Sequence, residues 1–200
     1  LLLPLLLLSL LLAAETEARL LPIYHHHAHL VSCLADNGRS GDREVLGLIC
    51  DGTGLGPDGS IWGFELLAGS ARAFRRLGHL APVALPGGDV AARRTFRSAA
   101  AHLHRVLGPE GPRRLAALHP GHREEIDVAQ AALSGAAGAL PLTTSAGRLF
   151  DAVAAMLGLV AQNSYEGEAA VALSDLAETA PSGELGGNPA KALPGFSLGE

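Results

Sequence analysis

Four imidazoles fall within five residues, His25-His26-His27-Ala28-His29. Histidine is the commonest metal ligand among side chains, through a neutral ring nitrogen. On a helix, His25 and His29 stand at i and i+4 on one face, roughly 5–6 Å apart at Cβ. Two imidazoles so placed can chelate one ion, as the pair of H-E-x-x-H does on a zinc-enzyme helix. His26 and His27 then point to other faces, and His26, three residues from His29, is the nearer spare ligand. The competing reading is that these rings pack or face solvent. Downstream, the apolar run Val45 to Cys50 leads into Asp51, Gly52, Thr53 and Gly54. A carboxylate at a strand end before a glycine-rich turn is where α/β proteins place chemistry. Its glycines let backbone N–H groups approach a phosphate or a metal-bound oxygen, and a plain hairpin turn is the alternative. A second candidate runs from Thr144 to Asp151. There Gly147, beside Ser145 in the first turn of a predicted helix, leaves room for a nucleotide against the backbone. Asp151, one turn on, either accepts hydrogen bonds from ribose hydroxyls or faces solvent.

The elements that must carry these residues follow from periodicity and turn chemistry. Pro22 favours an extended lead-in, and Leu30, Val31 and Leu34 extend a helix from His25 to Ala35, closed by Asp36-Asn37-Gly38. Residues 44–50 and Ile61 to Leu67 read as two strands of a hairpin joined by a glycine turn over 51–60. Phe74 to Leu85 reads as a third strand, broken by Pro86-Gly87-Gly88. Asp89 is placed to cap a helix running to Leu107, and Arg93, Arg94 and Arg97 read as its solvated face. Shorter helices follow over Arg113–Leu118 and Glu124–Leu133. Thr144 or Ser145 can cap a helix over Ala146–Leu157, and a last one spans Ala169–Glu178. Strands early and helices late define an α/β or α+β class.

The chain's 200 residues fit one domain or part of a larger one. Hydrophobic residues make up 48%, enough for a core, and the net charge of −5 argues against a broad nucleic-acid-binding surface. Cys33 and Cys50 form neither a disulfide framework nor a C-x-x-C site, which suits a reducing, cytoplasmic compartment. Residues 1–14 are apolar, but they lack the basic start of a signal peptide, and a membrane helix needs about 20 residues. Three readings fit this leader: a truncated signal sequence, a buried core helix, or unrelated sequence at a fragment end. Residues 181–200, rich in Pro, Gly and Ser, read as a linker or tail.

The motifs also have an order: HHHAH at 25–29, DGTGLGPDGSIWG at 51–63, RRLGHLAPVALPGGD at 75–89, TSAGRLFDAVA at 144–154 and SYEGEAA at 164–170. This order resembles the C-terminal carbamoyl-transfer domain of the hydrogenase maturation carbamoyltransferase HypF, a family related to the tRNA threonylcarbamoyl-transferase TsaD. The resemblance covers about residues 21–178. It implies an actin-like ATPase (sugar kinase-like) α/β fold, here incomplete, with residues 21–180 as a partial domain that is inactive by itself. It implies a divalent metal, iron or zinc, at His25, His29 and Asp51. It also implies ATP or carbamoyl-adenylate near Gly52, Thr53, Gly54, Ser145, Gly147 and Asp151. The implied reaction passes a carbamoyl group, made from carbamoyl phosphate and ATP, to the C-terminal cysteine of HypE. That thiocarboxamide later becomes the cyanide ligand of nickel–iron hydrogenase. The resemblance favours the fragment-end reading of residues 1–20, which do not look like the family. In the family a further metal aspartate follows in segments not found before residue 200. Phe64 stands where the family commonly has glycine, and Arg94-Thr95-Phe96 replaces a usual E-P-W. The alternatives of another class are a non-catalytic metal-binding module behind a secretion leader, and an inactive gene remnant.

Overall fold

The structure, a computed structural model, describes residues 11–16, 18–19, 21–135 and 140–179. Most of the apolar leader and the whole 181–200 tail lie outside the described residues. No helix among the described residues is long and apolar enough to cross a membrane.

Helix α1 spans His25–Asp36. Its buried residues are His26, Leu30 and Leu34, spaced four apart and therefore on one stripe. That stripe lies on an antiparallel hairpin of β1 (Val45–Leu55) and β2 (Ile61–Gly69). Gly47 and Gly69 admit Leu30, since a Cβ on them would stand 2.5 and 3.0 Å from its methyl carbons. The helix ends as its turn residues require, with the Gly38 N–H on Ala35 O at φ 63° and the Arg39 N–H on Leu34 O.

The glycine turn is shorter than expected. Strand β1 continues through Asp51-Gly52-Thr53-Gly54 to Leu55, and the turn proper is closed by the Gly56 N–H on Ser60 O. The ladder pairs Cys50 with Phe64 and then Gly54 with Trp62, so Asp51, Gly52 and Thr53 bulge opposite the single residue Gly63. The third strand is likewise two: β3 (Phe74–His79) pairs with β2, and the short β4 (Val83–Ala84) pairs with β5 (Leu142–Thr143). Strand β5 runs parallel to the start of β2 and delivers Thr144 and Ser145 beside the bulge.

Residues 89–179 are largely helical. The helix expected from Asp89 to Leu107 is split into α2 (Asp89–Arg93) and α3 (Thr95–Leu107) at Arg94, whose φ/ψ of −99°/90° is not helical. The cause is tertiary: the Asn163 N–H donates to Arg93 O at 2.8 Å and its amide to Ala92 O at 2.9 Å. Asp89 is not the cap, because Gly88 at φ 53° precedes the first turn that Asp89 occupies. Arg97 and Arg94 both approach Glu125, so their face is paired rather than merely solvated. Helices α4 (Glu110–Leu118), α5 (Arg123–Ser134), α6 (Ala146–Met156) and α7 (Glu168–Thr179) complete this half. Phe96, Leu115 and Ile126 fill its core between alanines 99, 100, 129, 152 and 155, whose small side chains let the helices close in.

Ile126 is fully buried, whereas Val128 is 51% exposed. Ile126→Ala should lower the unfolding free energy by about 2–5 kcal/mol. Val128→Ala should change it by no more than about 0.5 kcal/mol. Urea denaturation of both variants checks the assignment of this core.

Candidate metal centre

His25 and His29 occupy the stripe of α1 next to its buried one, and both reach over the bulge of β1 at Asp51. His25 Nε2 lies 2.7 Å from Asp51 Oδ2, His29 Nε2 3.8 Å from the same oxygen, and the two ring nitrogens are 3.0 Å apart. The circle through three atoms so spaced has a radius of about 1.9 Å, just under the roughly 2.0–2.2 Å of zinc–nitrogen and zinc–oxygen bonds. A divalent ion bound there would be held by all three donors. Its open side faces solvent, since both histidine side chains are half-exposed. Two imidazoles and one carboxylate leave positions for substrate oxygens, the arrangement of catalytic rather than structural sites.

The bulge places Asp51. Its Oδ1 accepts from the Gly52 N–H at 2.6 Å, and the Ser145 hydroxyl donates to Gly52 O at 2.6 Å. A Cβ on Gly63 would stand 2.6 Å from both Asp51 O and Ser145 Cα, so only glycine lets the three segments meet. Ser145 is the N-cap of α6, its Oγ accepting from the Arg148 N–H at 3.1 Å, which resolves the choice between it and Thr144.

Thr144 has another task. Its hydroxyl donates to Glu65, which is wholly buried and also accepts from the Gly63 N–H and from Arg76 Nε at 2.6 Å. Arg76 continues to Asp58 at 3.1 Å and lies 4.1 Å over the Trp62 ring. The Trp62 indole N–H closes the circuit on Asp58 Oδ1 at 3.0 Å. Burial pushes the Asp58 carboxyl up, but the Ser60 hydroxyl and amide, the Trp62 indole and Arg76 outweigh it and hold it below its ordinary range. Sequence reasoning missed this network. Its one signal was the pair of opposite charges, Glu65 and Arg76, on consecutive strands.

His26 is 1% exposed, with its ring 5.8 Å from that of Trp62. Burial lowers its pKa from 6.5 against the opposing pull of Asp51 and Glu65. His27 turns away from the cluster, donating from Nε2 to Ser70 O at 2.8 Å and lying on Phe74.

Among the residues expected near a nucleotide, the structure brings Gly52, Ser145 and Gly147 together. A Cβ on Gly147 would be 3.1 Å from Gly52 Cα. Thr53 is exposed on the bulge, while Gly54 lies buried beneath the rings of His25 and His26. Asp151 does not face solvent: it is 3% exposed, accepts from Asn163 Nδ2 at 2.8 Å and has Arg148 Nε 2.9 Å away.

A family profile described as "Carbamoyltransferase, Kae1-like Domain, second subdomain" matches residues 47–191. Carbamoyltransferase HypF2 of Cupriavidus necator is 42% identical over 168 residues, covering 84% of this chain and 20% of that protein. Carbamoyltransferase HypF of Rhodobacter capsulatus is 41% identical over 184 residues, covering 86% and 23%. Among solved structures, T. kodakarensis HypF superposes with a TM-score of 0.73 at 30% identity, over 87% of this chain and 23% of that one. Full-length HypF in its phosphate- and nucleotide-bound form gives 0.68 at 32% identity, over 78% and 20%. Fold and sequence together define a carbamoyltransferase domain of the Kae1-like class. The chain belongs to the HypF carbamoyltransferase family. It carries a mixed α/β part of the actin-like fold and spans about a fifth of the length of these relatives.

Two consequences are measurable. Arg76→Met strands the Glu65 carboxylate in the interior and should cost about 3–5 kcal/mol, most of it recovered when Glu65→Gln is added. For Asp151, burial raises the carboxyl above 3.8 although Arg148 and Asn163 pull it down. A raised folded-state pKa gives stability that is present below the unfolded value and lost as pH rises through the folded one. Asp151→Asn, which cannot titrate, should therefore gain stability relative to the parent as pH climbs from about 3 to 6. A stability difference that stays flat across that window, read by urea denaturation, contradicts the assignment.

Proposed function

We propose that this chain forms the metal-holding part of a site that moves a carbamoyl group from carbamoyl-adenylate to the C-terminal cysteine of HypE, in the maturation of nickel–iron hydrogenase. The observation that carries the proposal is the convergence of His25, His29 and Asp51 on one ion-sized position, in a chain of the HypF family. A divalent ion bound there, iron or zinc, supplies Lewis-acid stabilisation of negative charge on phosphate oxygens.

The rest is the work of the chain. His25 and His29 ligate only as neutral imidazoles, and Asp51 only as a carboxylate. The carboxylate is held by the Gly52 N–H. The nucleotide is placed over the bulge at Gly52, Thr53 and Gly54 and against the N-terminus of α6 at Ser145 and Gly147, where the helix end favours phosphate. Asp151 fixes Arg148 and Asn163 behind that helix. A full-length HypF that binds phosphate and nucleotide supports this placement. In the transfer, the cysteine thiolate of HypE attacks the carbamoyl carbon, a C–S bond forms, and the C–O bond to the phosphate breaks. AMP leaves with the electron pair. Carbamoyl phosphate and ATP are the substrates of the complete cytoplasmic enzyme.

The test is the metal content and the transfer activity of the complete protein. His25→Ala and His29→Ala should each remove stoichiometric iron or zinc and abolish carbamoylation of HypE from carbamoyl phosphate and ATP. His27→Ala should retain the metal. Metal should be lost at low pH, because a protonated imidazole cannot ligate. A folded His25→Ala, His29→Ala double variant that keeps one equivalent of metal refutes the proposal.

A further inference from the structure

His26 lies beside the metal ligands but is not one of them. The donor atoms of His25, His29 and Asp51 gather within 4.8 Å of one another, and the nitrogens of His26 do not join that set. Yet His26 is the most buried of the four imidazoles, and neither of its ring nitrogens finds a hydrogen-bond partner among the described residues. A buried polar atom without a partner is destabilising, so it calls for an explanation.

The same is true of Asp51 Oδ2, which is buried and unpartnered in hydrogen-bonding terms although His25 stands close to it. These two orphaned atoms face each other: His26 Nε2 and Asp51 Oδ2 are 3.9 Å apart. A tilt of the carboxylate by about 1 Å brings them to hydrogen-bond distance. The imidazole cannot make that movement. Gly54 is cut away to admit it, since a Cβ there would stand 2.5 Å from His26 Cε1. Trp62 walls its other side and is itself held by Asp58 and Arg76.

We propose that His26 is a positioning residue for the metal site, donating its Nε2–H to Asp51 Oδ2 and so setting the angle at which the carboxylate meets the ion. The proposal rests on the metal reading above. It follows the general pattern that carboxylates bound to metals are oriented by hydrogen bonds from behind, and that losing such a partner weakens metal binding by about 10–100-fold.

The experiment compares zinc dissociation constants, by competition with a chelating dye, and melting temperatures of the metal-free protein, using the complete protein and its His26→Leu, His26→Gln and His25→Ala variants. Leucine fills the space without a donor, and glutamine restores an N–H at similar reach. His26→Leu should weaken zinc binding by about 10–100-fold. The metal-free variant should melt no lower than the parent, because an unpartnered imidazole has been replaced by an apolar side chain. His26→Gln should bind close to the parent. Unchanged zinc affinity in His26→Leu overturns the proposal. So does a loss of affinity that tracks a lower melting temperature and is not rescued by glutamine, which marks a packing role. A parent that takes up no zinc, like His25→Ala, defeats the metal reading itself and this inference with it.

Discussion

The site depends on one close approach of three backbones. Asp51-Gly52 of β1, Gly63 of β2 and Ser145 at the start of α6 meet where no Cβ fits. Hydrogen bonds then fix what the steric gap allows: Ser145 Oγ on Gly52 O, and the Gly52 N–H on Asp51. Metal bonds tolerate errors of about 0.2 Å. The orientation of Asp51 relative to His25 and His29 is therefore only as good as this junction. A methyl group at residue 63 would separate hairpin from helix and carry the carboxylate away from the imidazoles.

The junction is supported by charge as well as by the apolar cluster of Ile49, Trp62 and Leu67. Glu65, Arg76, Asp58 and Thr144 come from four separate places in the chain and share one connected set of hydrogen bonds around Trp62. Desolvating such groups is expensive, and an apolar cluster of the same volume can match or exceed their contribution to stability. What the polar set adds is direction. Each bond has a defined angle, so the turn after β1, strand β3 and the segment leading into α6 are held in fixed register beneath His25, His29 and Asp51. The two halves of the chain divide the labour. The helical half is held by alanine contacts around Phe96, Leu115 and Ile126, and the sheet half carries the charges that aim the site.

Much of this was legible in the residues. The four-residue spacing of His25 and His29 determined their shared face, because the helical repeat is local and independent of context. The apolar run before Asp51 determined a strand, Asn37-Gly38 determined a helix end, and a hydroxyl before Ala146 determined a cap. The order of motifs marked the family, since five segments in sequence carry more information than any one of them.

Other features were decided only by tertiary contacts. Whether β1 stops at Cys50 or runs through the glycines depends on Gly63 opposite and Ser145 behind, and no local rule contains either. The helix after Asp89 breaks at Arg94 because Asn163, far along the chain, takes its carbonyls. No local rule pairs Glu65 with Arg76, and only the fold buries the one beneath the other. Among the four imidazoles, local periodicity assigned faces but not depth: the sheet under α1 buried His26, left His25 and His29 half-exposed, and turned His27 to Ser70. Short-range sterics and helical geometry act within a few residues and are written in the sequence. Burial, register and the pairing of distant charges are properties of the assembled chain.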